Sequence, residues 1–592
     1  MKDSAEQLYR QREQAFESQA AQYVQRGRLL ATLRFVLFTL AAYCLYMAFS
    51  LRFTGTWLWF ALALLILFLY CVVISGDVKK KIAFLKQLVK INQNEIIVLQ
   101  QGESFLDNGS VFGKQKGAAA DLSVFGKHSL YHRLNRAAGK SGKQELAALL
   151  QQPHTDPAAI AAAQACVQEL AALTDFRQEL LAETLLLDES EAHNQFQQQT
   201  DKGDYDFLFA PLCRALAIGW PVLGFAAIGT AIWYENLLPV AAVTIFGYIV
   251  LLFFLRKINR LHAQVSKRSY LYDQYSNCFK HINAQSFQHP HLQSLKDDTT
   301  DAKNGFERLS RITGLFDLRV SLPGLILNGL FLLDLHSAAT YMKWIRKYQH
   351  RTGLWLKALG EMEMLNSIAS FHVNHPDFIF PAIDNEKLSI RAEKLGHPLM
   401  QPGTAVVNDT SIGVDEKLLL VTGSNMSGKS TFLRTVGLNL LLAQCGAPVF
   451  AASFVFSPMK LLTSFHHIDS LEESTSYFYA ELKSLQSIMQ ELETGIPALV
   501  LLDEVMRGTN SVDKHDGTAL LIRKLLQYNC LSLIATHDIE LGILAERSPR
   551  EISNYCFESE LTASGLHFDF IMRPGVAQSR NATYLMQQMG IV

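Results

Sequence analysis

Residues 417–446 read KLLLVTGSNMSGKSTFLRTVGLNLLLAQCG: an apolar run, a turn bracketed by glycines, and a stretch of helical period, in direct succession. Gly423 to Ser430 fit G-x-x-x-x-G-K-S. Gly423 and Gly428 let the backbone turn so that its N–H groups aim inward at phosphate oxygens. The whole loop, with Ser424, Asn425, Met426 and Ser427 and on to Thr431, is therefore a candidate nucleotide cradle. Lys429 supplies positive charge for the β- and γ-phosphates, Ser430 offers a hydroxyl to Mg²⁺, and the following helix adds its N-terminal dipole. A strand before the loop and a helix after it are the context this P-loop requires, and they predict an α/β fold around bound ATP.

Downstream, PALVLLDE (497–504) is a second apolar run, ending at Asp503 and Glu504. Asp503 is placed to enter the Mg²⁺ shell, and the adjacent Glu504 to polarise water for attack on the γ-phosphate. CLSLIATHD (530–538) is a third such run, and it places His537 at a strand end near the same phosphate. From about residue 390 onward short apolar runs alternate with helical stretches, the pattern of a parallel sheet with crossover helices.

The rest of the chain reads differently. A length of 592 residues implies about three or four domains. Hydrophobic residues make up 49% and charged residues 18%, which excludes a disordered chain. Net charge is −1, so nucleic-acid binding would need a local patch rather than a global field. Eight scattered cysteines without a C-x-x-C spacing read as buried thiols in a reducing compartment.

Leu29 to Leu51 is apolar apart from Arg34, and Trp57 to Ile74 carries no charge. Eighteen helical residues cover about 27 Å, close to a bilayer's hydrocarbon thickness. A second pair of runs, Ala215 to Tyr234 and Leu237 to Leu255, is separated only by Glu235 and Asn236. Arg26, Arg28 and Lys79 to Lys81 flank the first pair, while Arg214, Arg256, Lys257 and Arg260 flank the second. By the positive-inside rule both termini and all large segments lie in the cytoplasm, with the chain multi-pass in the inner membrane. Arg34, about one turn inside its span, is expected to snorkel to the inner headgroups. Tyr9, Phe16 and Tyr23, seven residues apart, predict an amphipathic helix ahead of the first span. Asp156 and Pro157 mark a helix start in an otherwise helical segment.

The string TGSNMSGKSTFLRT resembles the P-loop of the MutS family of DNA mismatch-repair ATPases. Further matches keep the family's order: GHPL (396–399), ND (408–409), TSYFYAEL (475–482), DEVMRGTNSVDKHDG (503–517), ATHDIEL (535–541) and RPGVAQSRNA (573–582). The resemblance covers 390–592 strongly and extends weakly to 121–185. It implies that Asn425, Lys429 and Ser430 hold nucleotide and Mg²⁺, that Asp503 and Glu504 handle metal and water, and that His537 is a switch histidine. Ser476 falls at the serine that the family presents across a dimer to the neighbour's γ-phosphate, which implies a homodimer with composite ATP sites. Some family features differ. The mismatch-reading triplet Phe-x-Glu does not occur, and Ala405 or Val406 occupies the region where the family often stacks an aromatic on adenine.

These readings predict an α/β P-loop ATPase domain of ABC/MutS type, preceded by an all-α core and lever region interrupted by two transmembrane helical hairpins. The expected segments are an N-terminal cytoplasmic helix (1–28), transmembrane hairpin 1 (29–75), a helical core (76–213), transmembrane hairpin 2 (214–256), a helical lever (257–389) and the ATPase domain (390–592). The expected function is that of a membrane-anchored, ATP-hydrolysing, DNA-binding protein related to mismatch repair, whose helical arms move with nucleotide state. The alternative is a membrane-tethered ABC-type ATPase acting on a protein partner or solute without DNA.

Overall fold

The computed structural model describes residues 2–578 apart from 51–54, 114–116, 188–202, 235, 267, 320, 402, 425, 466–476, 507–509 and 563–564. The chain begins with two long helices, α1 (Lys2–Ser50) and α2 (Gly55–Gln101). Each is roughly 70 Å long at 1.5 Å per residue, so each apolar run continues without a break into a more polar half. The helix expected over 1–28 is thus the first half of α1 rather than a separate element. Its aromatic stripe explains the pairing: Tyr9 is buried with Ile96 and Leu99, and Phe16 and Tyr23 pack against the cluster of Phe84, Leu85 and Leu88 on α2. Arg34 does not simply reach outward, since its Nη1 donates across the hairpin to Ser75 Oγ at 3.2 Å.

The second apolar pair forms α6 (Pro211–Trp233) and α7 (Leu238–Val265), after α3 (Lys140–Gln151), α4 (Pro157–Ala172) and α5 (Thr174–Leu185). Asp156 caps α4 as expected, accepting from the N–H groups of Ala158 and Ala159. Helices α1, α2, α6 and α7 are long and apolar enough to cross a membrane.

Beyond them α8 (Ser269–Ala284) and α9 (Ala302–Leu318) lead to a short apolar helix, α10 (Leu322–Phe331). The chain then turns through left-handed Leu332 into the 42-residue α11 (Leu333–Asn374), bent 80° from α10. A helical lever over 257–389 gives no reason to set α10 apart. Yet α10 packs on α6 and α7 backbone to backbone: a Cβ on Gly247 would lie 2.0 Å from Gly329 O, and one on Gly224 2.5 Å from Leu330 O. Glycine at these positions is what permits the approach.

Trp355 of α11, fully buried against Phe306 of α9, centres the helical body. A single hydrophobic core runs from this body into the C-terminal α/β part; Phe378 stacks on Phe450, and Gly437 faces Leu122.

The C-terminal part has two sheets. The smaller one orders β1 (Ala382–Ile383), β5 (Ser453–Phe456), β2 (Ile390–Leu395) and β3 (Asn408–Ile412). The larger runs β10 (Gly565–Pro574), β9 (Ile552–Thr562), β4 (Leu418–Gly423), β8 (Cys530–Thr536), β7 (Ala498–Asp503) and β6 (Lys460–Ser464). All its neighbours are parallel except β9 with β10. Strands β4, β7 and β8 are buried along their whole length, as continuous apolar runs covered on both faces must be. Helices α12 (Lys429–Gln444), α13 (Tyr477–Leu492) and α14 (Ser511–Leu525) connect them. An α/β domain thus follows a largely helical region.

Candidate functional site

Register brings the chemistry together. Thr422 pairs with Thr536 and Asp503 with Ala535, so Gly423, Asp503 and His537 leave three adjacent parallel strands at the same carboxyl edge. Ligands of open α/β sheets bind at that edge. Gly423 and Gly428 take φ of 152° and 108°, and a Cβ on Gly423 would sit 2.7 Å from Phe557 O. Both positions need glycine.

Lys429 opens α12, and its buried ammonium donates to Gly423 O and Ser424 O, each at 2.9 Å. His537 lies against the same loop: its Nδ1 is 2.7 Å from Gly423 O and must donate to that carbonyl. Its Nε2 is 2.5 Å from Glu504 Oε1. Glu504 is held by its backbone, whose N–H donates to Ala535 O at 2.9 Å, and it adopts φ of +55°. A non-glycine residue in this conformation is a strained feature typical of functional sites.

Three buried oxygens at the site make no hydrogen bond among the described residues: Ser424 Oγ, Ser427 Oγ and Asp503 Oδ1. Buried polar atoms are ordinarily paired, so these fit a site completed by a polyphosphate and a divalent cation. Ser430 is half-buried and Thr431 exposed in the first turn of α12, and Met426 stands exposed at φ of +66°. Asn425 and Ser476 lie outside the described residues.

Around these residues the structure adds contacts of Asn408, Glu481 and the GHPL segment, which the sequence offered only as family matches, and of Phe570 and Asp121, to which it gave no role. Asn408 Nδ2 donates to Phe570 O at 3.0 Å, and its Oδ1 accepts from Met572 N at 2.7 Å. These bonds pin a register shift in β10 that turns Phe570 toward the P-loop, where a Cβ on Gly428 would lie 3.1 Å from its ring. The ring is 42% exposed, an apolar face beside the phosphate cradle. Glu481, on α13 just after the position of Ser476, accepts from Met506 N at 2.5 Å and so ties α13 to the turn after Glu504. The GHPL segment braces the P-loop helix, with Asn439 Nδ2 donating to Gly396 O at 3.0 Å. Burial, with Arg434 nearby, pushes His397 of this segment down to about 4, so it stays neutral. Asp121, from the helical region, accepts from Thr463 Oγ1 at 2.6 Å and Phe465 N at 3.2 Å at the end of β6.

Comparison with known proteins agrees with this geometry. Residues 419–590 match the family described as MutS domain V. Over 245 residues, 40% of the chain, it is 31% identical to the DNA mismatch repair protein MutS of Natronomonas pharaonis. The matched region spans 27% of that relative's length. Residues 419–590 are thus similar to MutS domain V, an ABC-like ATPase domain, and over 245 residues the chain is a distant homologue of MutS.

Proposed function

We propose that the chain is a membrane-anchored MutS-like ATPase that binds and hydrolyses ATP with Mg²⁺, works as a homodimer with composite sites, and acts on DNA at the cytoplasmic face of the inner membrane. The observation that carries the reading is the convergence of Lys429, Glu504 and His537 with the unpartnered oxygens of Ser424, Ser427 and Asp503 at one sheet edge.

Lys429 is positioned to exchange its two loop carbonyls for β- and γ-phosphate oxygens. The described N–H groups of the loop between Gly423 and Thr431 would cradle them, and Asn425 is proposed to bind nucleotide by the family resemblance alone. Ser430 and Asp503 would hold Mg²⁺, which when bound neutralises phosphate charge. Glu504 orients a water and accepts its proton, and His537 keeps the carboxylate in place while sensing the loop through Gly423. Ser476 completes the site of the second subunit. Phe570 offers its exposed face to the base, a role that Ala405 and Val406 are too small to fill.

The membrane reading draws support from the four apolar helices and from basic residues at their ends. Helix α11 begins at α10, which packs on α6 and α7, and ends beside the α/β core, so movement at the sheet edge has a rigid path to the lipid. Asp121 and Glu481 tie the same edge to the helical region and to α13.

The test is ATP turnover by the full chain in detergent with and without homoduplex, mismatched and branched DNA. The reading predicts stimulation by one of these and DNA affinity that falls steeply with salt. Turnover indifferent to all three, with no binding at low salt, would remove DNA and favour a protein partner.

A further inference from the structure

A cavity of about 410 Å³ lies between α7, Arg319, α10 and the start of α11. Its chemistry changes along its length. Leu251 and Leu255 of α7 and Leu325 of α10 line the part level with the apolar run, before the charged pair Arg256 and Lys257. His262, past that pair along α7, lines the part beyond it, and the Arg319–Asp334 ion pair lines the wall as well. The cavity thus straddles the level at which the apolar run gives way to charge.

The polar end is built rather than incidental. Arg319 Nε pairs with the buried Asp334 Oδ2 at 2.9 Å, and Nη1 donates to Asn259 Oδ1 at 2.7 Å, so the guanidinium is fixed in orientation. Asn328 Oδ1 accepts from Asp334 N at 3.0 Å, locking the bend between α10 and α11. His262 Nε2 is buried at the cavity and has no hydrogen-bond partner among the described residues. An unmet ring nitrogen there is costly unless a ligand atom meets it. The apolar end borders surface that would face lipid: Leu252 and Ile326 are 64% and 54% exposed.

We propose that this cavity binds one phospholipid of the inner leaflet, its phosphodiester against Arg319 and His262 and the start of an acyl chain along Leu251, Leu255 and Leu325. His262 donates from Nε2 to a phosphate or glycerol oxygen. A volume of this size takes a headgroup and the first part of a chain, and the rest of the lipid stays in the bilayer. The bound headgroup then rests on the bend from which α11 departs for the α/β core. This inference depends on the membrane reading given above.

The test is native mass spectrometry of the full chain, extracted in detergent and titrated with phosphatidylglycerol. Wild type, His262→Ala and Leu255→Trp are compared, the last filling the cavity. Diacylglycerol and glycerol 3-phosphate serve as ligands lacking the phosphate and the chains respectively. One saturable phosphatidylglycerol adduct per chain is expected, weakened about tenfold by His262→Ala and lost in Leu255→Trp, with neither control ligand competing. Thermal unfolding in the same detergent establishes that both variants are folded. Equal binding by all three folded proteins overturns the proposal, as does displacement by glycerol 3-phosphate alone. Release of the wild-type chain from membranes by alkaline carbonate overturns the membrane reading with it; a carbonate-resistant chain without the saturable adduct overturns the lipid site only.

Discussion

His537 Nε2 lies 2.5 Å from Glu504 Oε1, while its Nδ1 lies 2.7 Å from the carbonyl of Gly423, the first glycine of the P-loop. One imidazole therefore joins the carboxylate that we propose activates water to the loop that we propose cradles phosphate. Replacing Glu504 by Gln keeps the shape and removes the base. We expect kcat to fall by about 10²–10⁴-fold with nucleotide affinity retained. His537→Ala should also lower kcat, by freeing the carboxylate. Steady-state turnover beside equilibrium nucleotide binding checks both, and a loss of affinity equal to the loss of rate would place these residues in binding instead.

Phe570 owes its position to Asn408 and to its own left-handed backbone, φ 58°. If its exposed face carries the base, Phe570→Ala raises KM for ATP by about tenfold and leaves kcat nearly unchanged, the size expected of a lost aromatic contact. Inhibition by tripolyphosphate, which has no base, should be unaltered. Equal weakening of tripolyphosphate would assign the residue to loop support.

A pH effect follows from His281. Burial lowers its affinity for the proton, but hydrogen bonds to Glu179 and Glu183 outweigh this and raise it to about 9. The folded value lies above the unfolded one, so the ion pair stabilises the chain fully below pH 6.5 and its contribution is lost as pH rises toward 9. His281→Gln should lower stability by about 1 kcal/mol at pH 6 and by almost nothing above pH 9. Thermal unfolding of both proteins across that range is the check, and a difference that does not change with pH would contradict it.

Gly247 sets the depth to which α10 sinks between its neighbours. Gly247→Val forces a β-carbon against Gly329 O, with an expected cost of about 1–3 kcal/mol. Gly219→Val, on α6 where nothing lies within 4 Å, should be close to neutral. Unfolding midpoints in detergent compare the two, and equal behaviour would mean that α10 is not seated as described.

The sheet edge was legible in the sequence for a physical reason. Buried parallel strands are unbroken apolar runs, and the residues that do chemistry stand immediately after them, so Gly423, Asp503, Glu504 and His537 could be placed before their neighbours were known. Lys429 followed from the loop's own spacing. Phe570 could not be found this way, because a bulge held by a residue 162 positions away decides where its ring points. Helix α10 escaped notice because SLPGLILNGLF is too short to read as a span. Its seat depends on glycines of α6 and α7 that no local pattern connects to it. The continuous α1 was hidden by the change from polar to apolar residues near Leu29, which alters the surroundings of a helix without ending it.

We propose that the P-loop at 423–431 binds ATP and drives its hydrolysis. Magnesium-dependent phosphate release by the full chain in detergent, measured for wild type and Lys429→Ala at matched protein concentration, tests it most directly. Steady turnover is expected in wild type and its abolition in the variant, with the unfolding midpoint preserved. Equal turnover in the two folded proteins would contradict it.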